Sequence, residues 1–175
     1  IIESLRESLP LYLSYLLSFI MLFTYWRSHH FVTSVFAQNI DQKLVNINAV
    51  FFFLIAFVPF SSHLLGSYSG SIVAIDIFAI HTIVIGALLF WMRYYAERSV
   101  SIASTEMSPV ENRHAYARIM FPVVSAMLAM IISPFSTQIA LVIFTLGLVL
   151  NYAKRSTKLF FLVASVFYPK WKESV

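Results

Sequence analysis

The sequence contains no cysteine and little charge: Asp, Glu, Lys and Arg together make up 11% of its 175 residues. The lack of cysteine excludes disulfides, iron–sulfur clusters and thiolate catalysis. Soluble domains carry about 25% charged residues. A chain this poor in charge and 59% hydrophobic has too little polar surface to cover its apolar residues in water. The composition therefore predicts a polytopic membrane protein.

Long uncharged runs set the predicted architecture, because a spanning helix needs about 20 mostly apolar residues. We expect an all-α membrane helix bundle that forms a single transmembrane domain over residues 1–175. A sixth apolar run, 159–168, is too short to span and is expected to lie at the interface or to pack on the bundle. The five runs long enough to span are 10–31, 44–65, 71–95, 112–132 and 137–153.

The basic residues predict an orientation. The net charge is +4, and the Lys and Arg residues cluster in the connections after the first and third helices and in the C-terminal tail, not in a pattern typical of a nucleic-acid surface. Basic connections lie in the cytoplasm, which places the start of the first predicted helix outside. The chain begins with Ile and shows no signal peptide, so we expect one further helix upstream. Both termini of the resulting six-helix protein would be cytoplasmic, in the plasma membrane of a bacterial cell.

Three ionisable residues within predicted helices are candidates for an ion or proton path: Asp76, His81 and His63. An ionisable side chain inside a membrane helix indicates function, because exposing it to lipid is costly. Asp76 and His81 are five residues apart, about 140° around a helix, so they do not share a face. The alternative for Asp76 is a position in the first turns of its helix, where the helix dipole favours a negative charge.

Metal, haem and enzyme chemistry have little support in the sequence. A metal pair on one helix needs His residues three or four positions apart, and His29 and His30 are neighbours. A bis-His haem needs ligands at matched depth on facing helices, whereas His30 and His114 lie near one side of the membrane and His63 near the other. No nucleophile with a base occurs at useful spacing. We therefore expect no cofactor, no metal and no enzymatic activity.

Residues 9–60 carry a series of motif residues at fixed spacing. An apolar helix with a Leu-Ser-Phe step and Trp-x-x-His-His is followed by a short charged loop and by a helix with Asn and, eleven residues later, Pro-Phe. The residues concerned are Ser18, Phe19, Trp26, His29, His30, Asp41, Lys43, Asn48, Pro59 and Phe60. This segment resembles the transmembrane protein 175 family of potassium channels, with which the order and spacing of these residues agree across about fifty residues.

Two departures accompany this resemblance. Ser28 stands where the family usually has Asn before the His pair. The Arg-x-x-x-Phe-Ser-Asp motif of the family's first helix is absent from the given residues. The resemblance implies a six-helix subunit of a homotetramer, with K⁺ passing through a central pore that the first helix lines with apolar side chains. The pore lining is therefore expected on a helix upstream of the given residues.

The resemblance also assigns a role to four polar residues: Trp26, His29, His30 and Asn48. They would hydrogen-bond to the Ser and Asp of the first helix and hold it in place without touching the ion. The alternative function is a proton-conducting channel or a proton-coupled transporter, with Asp76, His81 or His63 as relay groups.

Overall fold

A computed structural model of the protein describes residues 8–102 and 106–151, and it is all-α, as predicted. Helix α1 continues into a π-helical segment, Phe31–Phe36, before the chain turns into the second helix. The helices are α1 Leu9–His30, α2 Gln42–Ser67, α3 Ile72–Arg98, α4 Pro109–Ile132 and α5 Thr137–Leu150.

Four helical segments within the described residues are long and apolar enough to cross a membrane: Leu9–Phe36, α2, α3 and α4. The protein is a multi-pass membrane protein. The fifth helix, α5, has 14 residues and is about 21 Å long, which is shorter than a hydrocarbon core of about 30 Å. The end of the fifth predicted span, at 153, and the predicted segment 159–168 lie outside the described residues.

Polar side chains fix where three of the helices begin. Asp41 caps α2 by accepting a hydrogen bond from the backbone N–H of Leu44. Ser108 and Glu111 form a reciprocal capping box, which starts α4 at Pro109, three residues earlier than the sequence predicted. Ser136 caps α5. Helix α3 in turn continues three residues past the predicted end, so the connection to α4 is shorter than expected.

Each helix packs against the next one along the chain, and α1 also touches α3, α4 and α5. Because α1 contacts all the other helices, its buried side chains form much of the centre of the bundle. Tyr25 is completely buried, and its hydroxyl donates to the Thr82 carbonyl of α3 at 2.7 Å. Phe78 of α3 and Phe144 of α5 meet edge to face, with ring centroids 5.4 Å apart. Much of the outer surface is apolar, as a lipid-facing surface requires.

Candidate functional site

Helix α1 ends in the polar residues Trp26, His29 and His30. Adjacent residues on a helix point about 100° apart, so the two histidines face different surroundings. His29 is buried at 8% exposure, whereas His30 is exposed and Trp26 is 54% exposed. The four residues predicted as one network therefore divide between the interior of the bundle and its outer face.

The interior pair joins α1 to α2. The ring of His29 lies 2.6 Å, through Nε2, from the amide Oδ1 of Asn48. Because an amide oxygen is an acceptor, Nε2 carries the proton in this contact. The same ring stacks on Phe51 at 4.6 Å between centroids, with an interplanar angle of 6°. Because the hydrogen bond lies beside an apolar ring, it holds the His29 and Asn48 side chains in one geometry.

The outer face of α1 carries a stack of four rings, here called the aromatic ladder: Phe19, Phe23, Trp26 and His30. Successive centroids are 6.4, 5.7 and 5.3 Å apart, and no interplanar angle exceeds 20°. The spacing of four, three and four residues keeps all the rings on one face of the helix. Eleven residues of helix extend the ladder over about 16 Å. Trp26 and His30 thus form a second pair, separate from His29 and Asn48.

The three residues considered for an ion path contact different neighbours. Asp76 accepts a hydrogen bond from the Ser133 hydroxyl at 3.1 Å. The ring of His81 contacts the Ser61 hydroxyl through Nδ1 at 2.8 Å and the Leu54 carbonyl through Nε2 at 2.9 Å. His63 is exposed and lies 3.4 Å from the Ser67 hydroxyl one turn away. Asp76, His81 and His63 therefore each contact a different neighbour, and the fold does not place them in one cluster.

His81 contacts α2 close to Pro59, a proline inside that helix. Pro59 lacks an N–H and so leaves the Ile55 carbonyl without its helical partner. The ring of His81 donates to the carbonyl of Leu54, the residue before Ile55. This hydrogen bond joins α3 to α2 beside the interruption, but it does not replace the bond that the proline removes.

A charged cluster between α3 and α4 was not predicted from the sequence, where Arg93, near the end of the third predicted helix, was counted among the basic residues of the connection that follows. Arg93 lies inside α3 and is completely buried. Its Nη2 donates to the Asn112 Oδ1 at 2.6 Å. The guanidinium lies 4.5 Å from the Phe36 ring centroid and about 5 Å from those of Phe31 and Tyr116. This cation is therefore enclosed by three aromatic rings, two from the π-helical segment and one from α4.

Two signals in the sequence could have located this cluster. Arg93 and Glu97 are four residues apart, a spacing that places both on one helix face. The pattern Ser108-Pro-Val-Glu111 is a helix-start signature, and it puts Asn112 and Tyr116 within the first two turns of α4. Glu97 then accepts hydrogen bonds from the Asn112 amide at 2.6 Å and from the Tyr116 hydroxyl at 2.5 Å.

Asp41 connects the ends of several elements on the side of the basic connections. Besides capping α2, its carboxylate accepts hydrogen bonds from the Tyr95 hydroxyl at 2.5 Å and the Ser101 hydroxyl at 2.8 Å. The Lys43 ammonium lies 4.5 Å above the Tyr95 ring. The hydrogen bond from Tyr95, followed by the one from the Leu44 N–H, lowers the pKa of Asp41 below its ordinary value of 3.8.

We expect Asp41→Asn to remove an acid-dependent part of the stability. A carboxyl whose folded pKa is lowered contributes stability above its unfolded pKa, and that contribution is lost as pH falls through the folded pKa. In the natural protein the melting temperature should fall as pH decreases below about 4, whereas Asn, which still caps the helix, should flatten that fall. Thermal unfolding in detergent between pH 3 and 7 measures this. Identical acid slopes in the two proteins would contradict it.

Metal ligands do not cluster in the part of the chain that the structure describes. Among residues 8–102 and 106–151, no group of three or more His, Asp or Glu side chains could hold a metal ion. The candidate site is therefore built from aromatic rings, amide groups and imidazoles.

Comparison with known proteins gives a match to the segment that contains the His29–Asn48 pair and the aromatic ladder. A family model described as "Endosomal/lysosomal potassium channel TMEM175" matches residues 1–59. The predicted family resemblance is confirmed over this segment. The match takes in α1, the π-helical segment and α2 as far as Pro59, so both the His29–Asn48 pair and the aromatic ladder lie within it. No curated protein and no solved structure matches the chain.

Proposed function

We propose that this protein is a subunit of a potassium-permeable cation channel. The observation that supports the proposal most is the family match over residues 1–59, the segment that contains His29, Asn48 and the aromatic ladder. The channel is a homotetramer, as the resemblance implies, and it carries out no enzymatic reaction. Ions move passively through a central pore, whose apolar constriction gates by its width and wetting.

The aromatic ladder is the surface of α1 that receives the pore helix implied by the family resemblance. Its rings are exposed on one face, and Trp26 is 54% exposed although the residues on the opposite face of α1 are buried. The indole N–H of Trp26 and the ring of His30 supply polar groups on an apolar surface, suited to the Ser and Asp that the resemblance places on the pore helix. Trp26 and His30 then position the pore helix and do not contact the ion.

The His29–Asn48 pair holds the helix that carries the aromatic ladder. His29 and Asn48 join α1 to α2 on a different face of α1 from the ladder. This contact fixes the position of α1, and therefore of the ladder, relative to the rest of the subunit. Leaving a buried polar group such as the His29 ring without its hydrogen-bond partner costs about 1–3 kcal/mol. In this arrangement, His29 and Asn48 affect the pore only through the position of α1.

We expect Trp26→Ala or His30→Ala, made in the full-length protein, to lower the channel current at least severalfold without changing the K⁺/Na⁺ permeability ratio. Each change weakens the contact that holds the pore helix and leaves the pore lining intact. Planar-bilayer recording measures the current and the ratio, and cross-linking measures the tetramer fraction. Trp91→Ala is the matched control, because Trp91 is exposed to a similar degree, 50%, on α3. A changed permeability ratio in either variant would place these residues in the ion path and refute the positioning role.

The proposed function itself is tested by the reversal potential of the natural protein, with K⁺ on one side of the bilayer and Na⁺ on the other. A potential displaced toward the K⁺ equilibrium value supports the proposal. A potential that follows only the pH gradient would overturn it in favour of proton conduction by Asp76, His81 or His63. The local hydrogen bonds of these three residues favour the potassium channel.

A further inference from the structure

We propose that a cleft between α3 and α4 binds the headgroup of a zwitterionic phospholipid. The phosphate lies at Arg98, and the ammonium group lies against Glu97 and the rings of Phe90 and Tyr116. This site is separate from the aromatic ladder and from the His29–Asn48 pair, and the inference does not rest on the proposed channel function.

The cleft has the size and the lining of a small-molecule site. Its volume is about 480 Å³, and Phe90, Tyr94, Glu97, Arg98 and Tyr116 line it. Ligand sites commonly enclose about 300–1,000 Å³ and combine apolar walls with a few fixed polar groups. Here three aromatic rings form the walls, and one carboxylate and one guanidinium supply opposite charges. A ligand that carries both a negative and a positive group matches this lining.

One end of the cleft suits a cation and is formed by Glu97, Phe90 and Tyr116. The rings of Phe90 and Tyr116 lie 4.9 Å apart at an interplanar angle of 52°, so they present two faces at an angle. Aromatic faces attract quaternary and primary ammonium groups. The Glu97 carboxylate accepts from Tyr116 and Asn112 and still has lone pairs for a further donor.

Arg98 forms the end that suits a phosphate. Its guanidinium carbon lies 4.3 Å above the Tyr94 ring, and the structure shows no hydrogen bond from this group to another described residue. Arginine presents a planar fork of donors that matches two phosphate oxygens. Stacking on Tyr94 holds the fork at the rim of the cleft, where a phosphate can reach it.

The buried cluster under the cleft fixes the position of Glu97 in advance. Arg93 donates to Asn112, and the Asn112 amide donates to Glu97. The Arg93 guanidinium also lies 5.1 Å from the Tyr116 ring. Because these contacts are made between groups of the protein itself, binding requires little further ordering of side chains.

The position of the cleft along α3 favours a lipid over a soluble ligand. From Ile72 to Arg98 the helix rises about 39 Å, whereas the hydrocarbon core of a bilayer is about 30 Å thick. The last turns of α3, which carry most of the lining, therefore reach the headgroup layer. Trp91, 50% exposed on the same turns, is typical of residues at that depth.

Native mass spectrometry of the full-length protein tests the inference by counting the lipids that stay bound. The protein is exposed in separate samples to phosphatidylcholine, phosphatidylethanolamine or phosphatidylglycerol with identical acyl chains, and in a fourth sample to phosphatidylcholine with excess soluble phosphocholine. We expect the choline and ethanolamine lipids to be retained at least fivefold more than the glycerol lipid. We expect soluble phosphocholine to compete weakly, because it lacks the acyl chains.

Two variants and a matched control connect the retention to the cleft. Glu97→Gln removes the charge but keeps hydrogen-bonding groups for Asn112 and Tyr116, and it should abolish the preference over phosphatidylglycerol. Arg98→Gln should reduce the retention of all three lipids. Arg113→Gln is the control, because Arg113 is a cation of α4 that does not line the cleft and donates to the Pro109 carbonyl. The Arg113→Gln variant should retain each lipid to the same extent as the natural protein.

Four results would overturn the inference. Equal or stronger retention of phosphatidylglycerol by the natural protein would indicate an anionic-lipid site, and full displacement by phosphocholine would indicate a soluble ligand. No retained lipid would mean that another protein surface, such as a second copy of the chain, covers the cleft. A preference that persists in Glu97→Gln and Arg98→Gln would place the lipid elsewhere.

Discussion

Replacing Gly66 with Leu should separate α1 from α2 and lower the melting temperature of the protein substantially. A Cβ atom on Gly66 would lie 2.4 Å from the Ser14 Oγ and 2.9 Å from the Cα of Leu11. The second of these is a backbone atom, so the clash cannot be relieved by a side-chain rotation. Overpacking of this kind costs about 1–3 kcal/mol, and more when the backbone has to move. Small residues permit this close approach of helices within membranes.

The loss should extend to the hydrogen bonds beside Gly66. The Ser62 hydroxyl of α2 donates to the Ser14 carbonyl of α1 at 3.1 Å, and helices forced apart cannot keep this distance. Thermal unfolding in detergent, followed by circular dichroism or by loss of the monodisperse peak on gel filtration, measures the effect.

Gly70→Leu is the matched control for this prediction. Gly70 follows four residues later in the turn before α3, and a Cβ atom there would have no neighbour within 4 Å. The same substitution should therefore leave the melting temperature nearly unchanged. Equal losses at positions 66 and 70 would show that the effect comes from adding an apolar side chain and not from helix packing.

Replacing Tyr25 with Ala should have the second large effect. The Tyr25 side chain is completely buried at the centre of the bundle, and its removal leaves a cavity between α1 and α3. Truncation of a large buried aromatic side chain costs about 3–5 kcal/mol. The cavity cannot be filled by a small shift, because α1 packs on several helices at once. The unfolding midpoint in denaturant or heat should fall accordingly.

Tyr25→Phe separates the packing contribution from the hydrogen bond. This variant keeps the ring and loses only the bond from the hydroxyl to the Thr82 carbonyl, a net cost of about 1 kcal/mol. The ring lies beside Gly86, where an added Cβ would come within 3.0 Å of the hydroxyl. A Phe variant as unstable as the Ala variant would mean that the hydrogen bond, and not the packed ring, holds α1 to α3.

Several features of the fold could be predicted from the sequence because they depend on composition along the chain. Uncharged runs located α1 to α4 to within a few residues, since the length of a spanning helix follows from the bilayer thickness. The boundaries differed where capping mattered: the Ser108–Glu111 box starts α4 at Pro109. The π-helical segment Phe31–Phe36 has no such compositional signal.

The candidate site was predictable only in part. The motif spacing in residues 9–60 identified Trp26, His29, His30 and Asn48, and the structure shows that His29 and Asn48 are in contact. The sequence did not show that Trp26 and His30 lie on the outer face. The rotation of α1 about its axis decides this, and that rotation is set by packing against the other helices.

The sequence by itself determined that the protein spans a membrane several times and that its first third resembles a potassium channel family, because hydropathy and motif spacing are linear properties of the chain. Only the tertiary structure decided that Arg93 is enclosed by aromatic rings instead of lying in a connection. It also brought Glu97 of α3 beside Asn112 and Tyr116 of α4. The physical reason is that apolar helices of similar composition can pack in many rotations and pairings. The choice among them depends on close contacts between residues that are distant in the sequence.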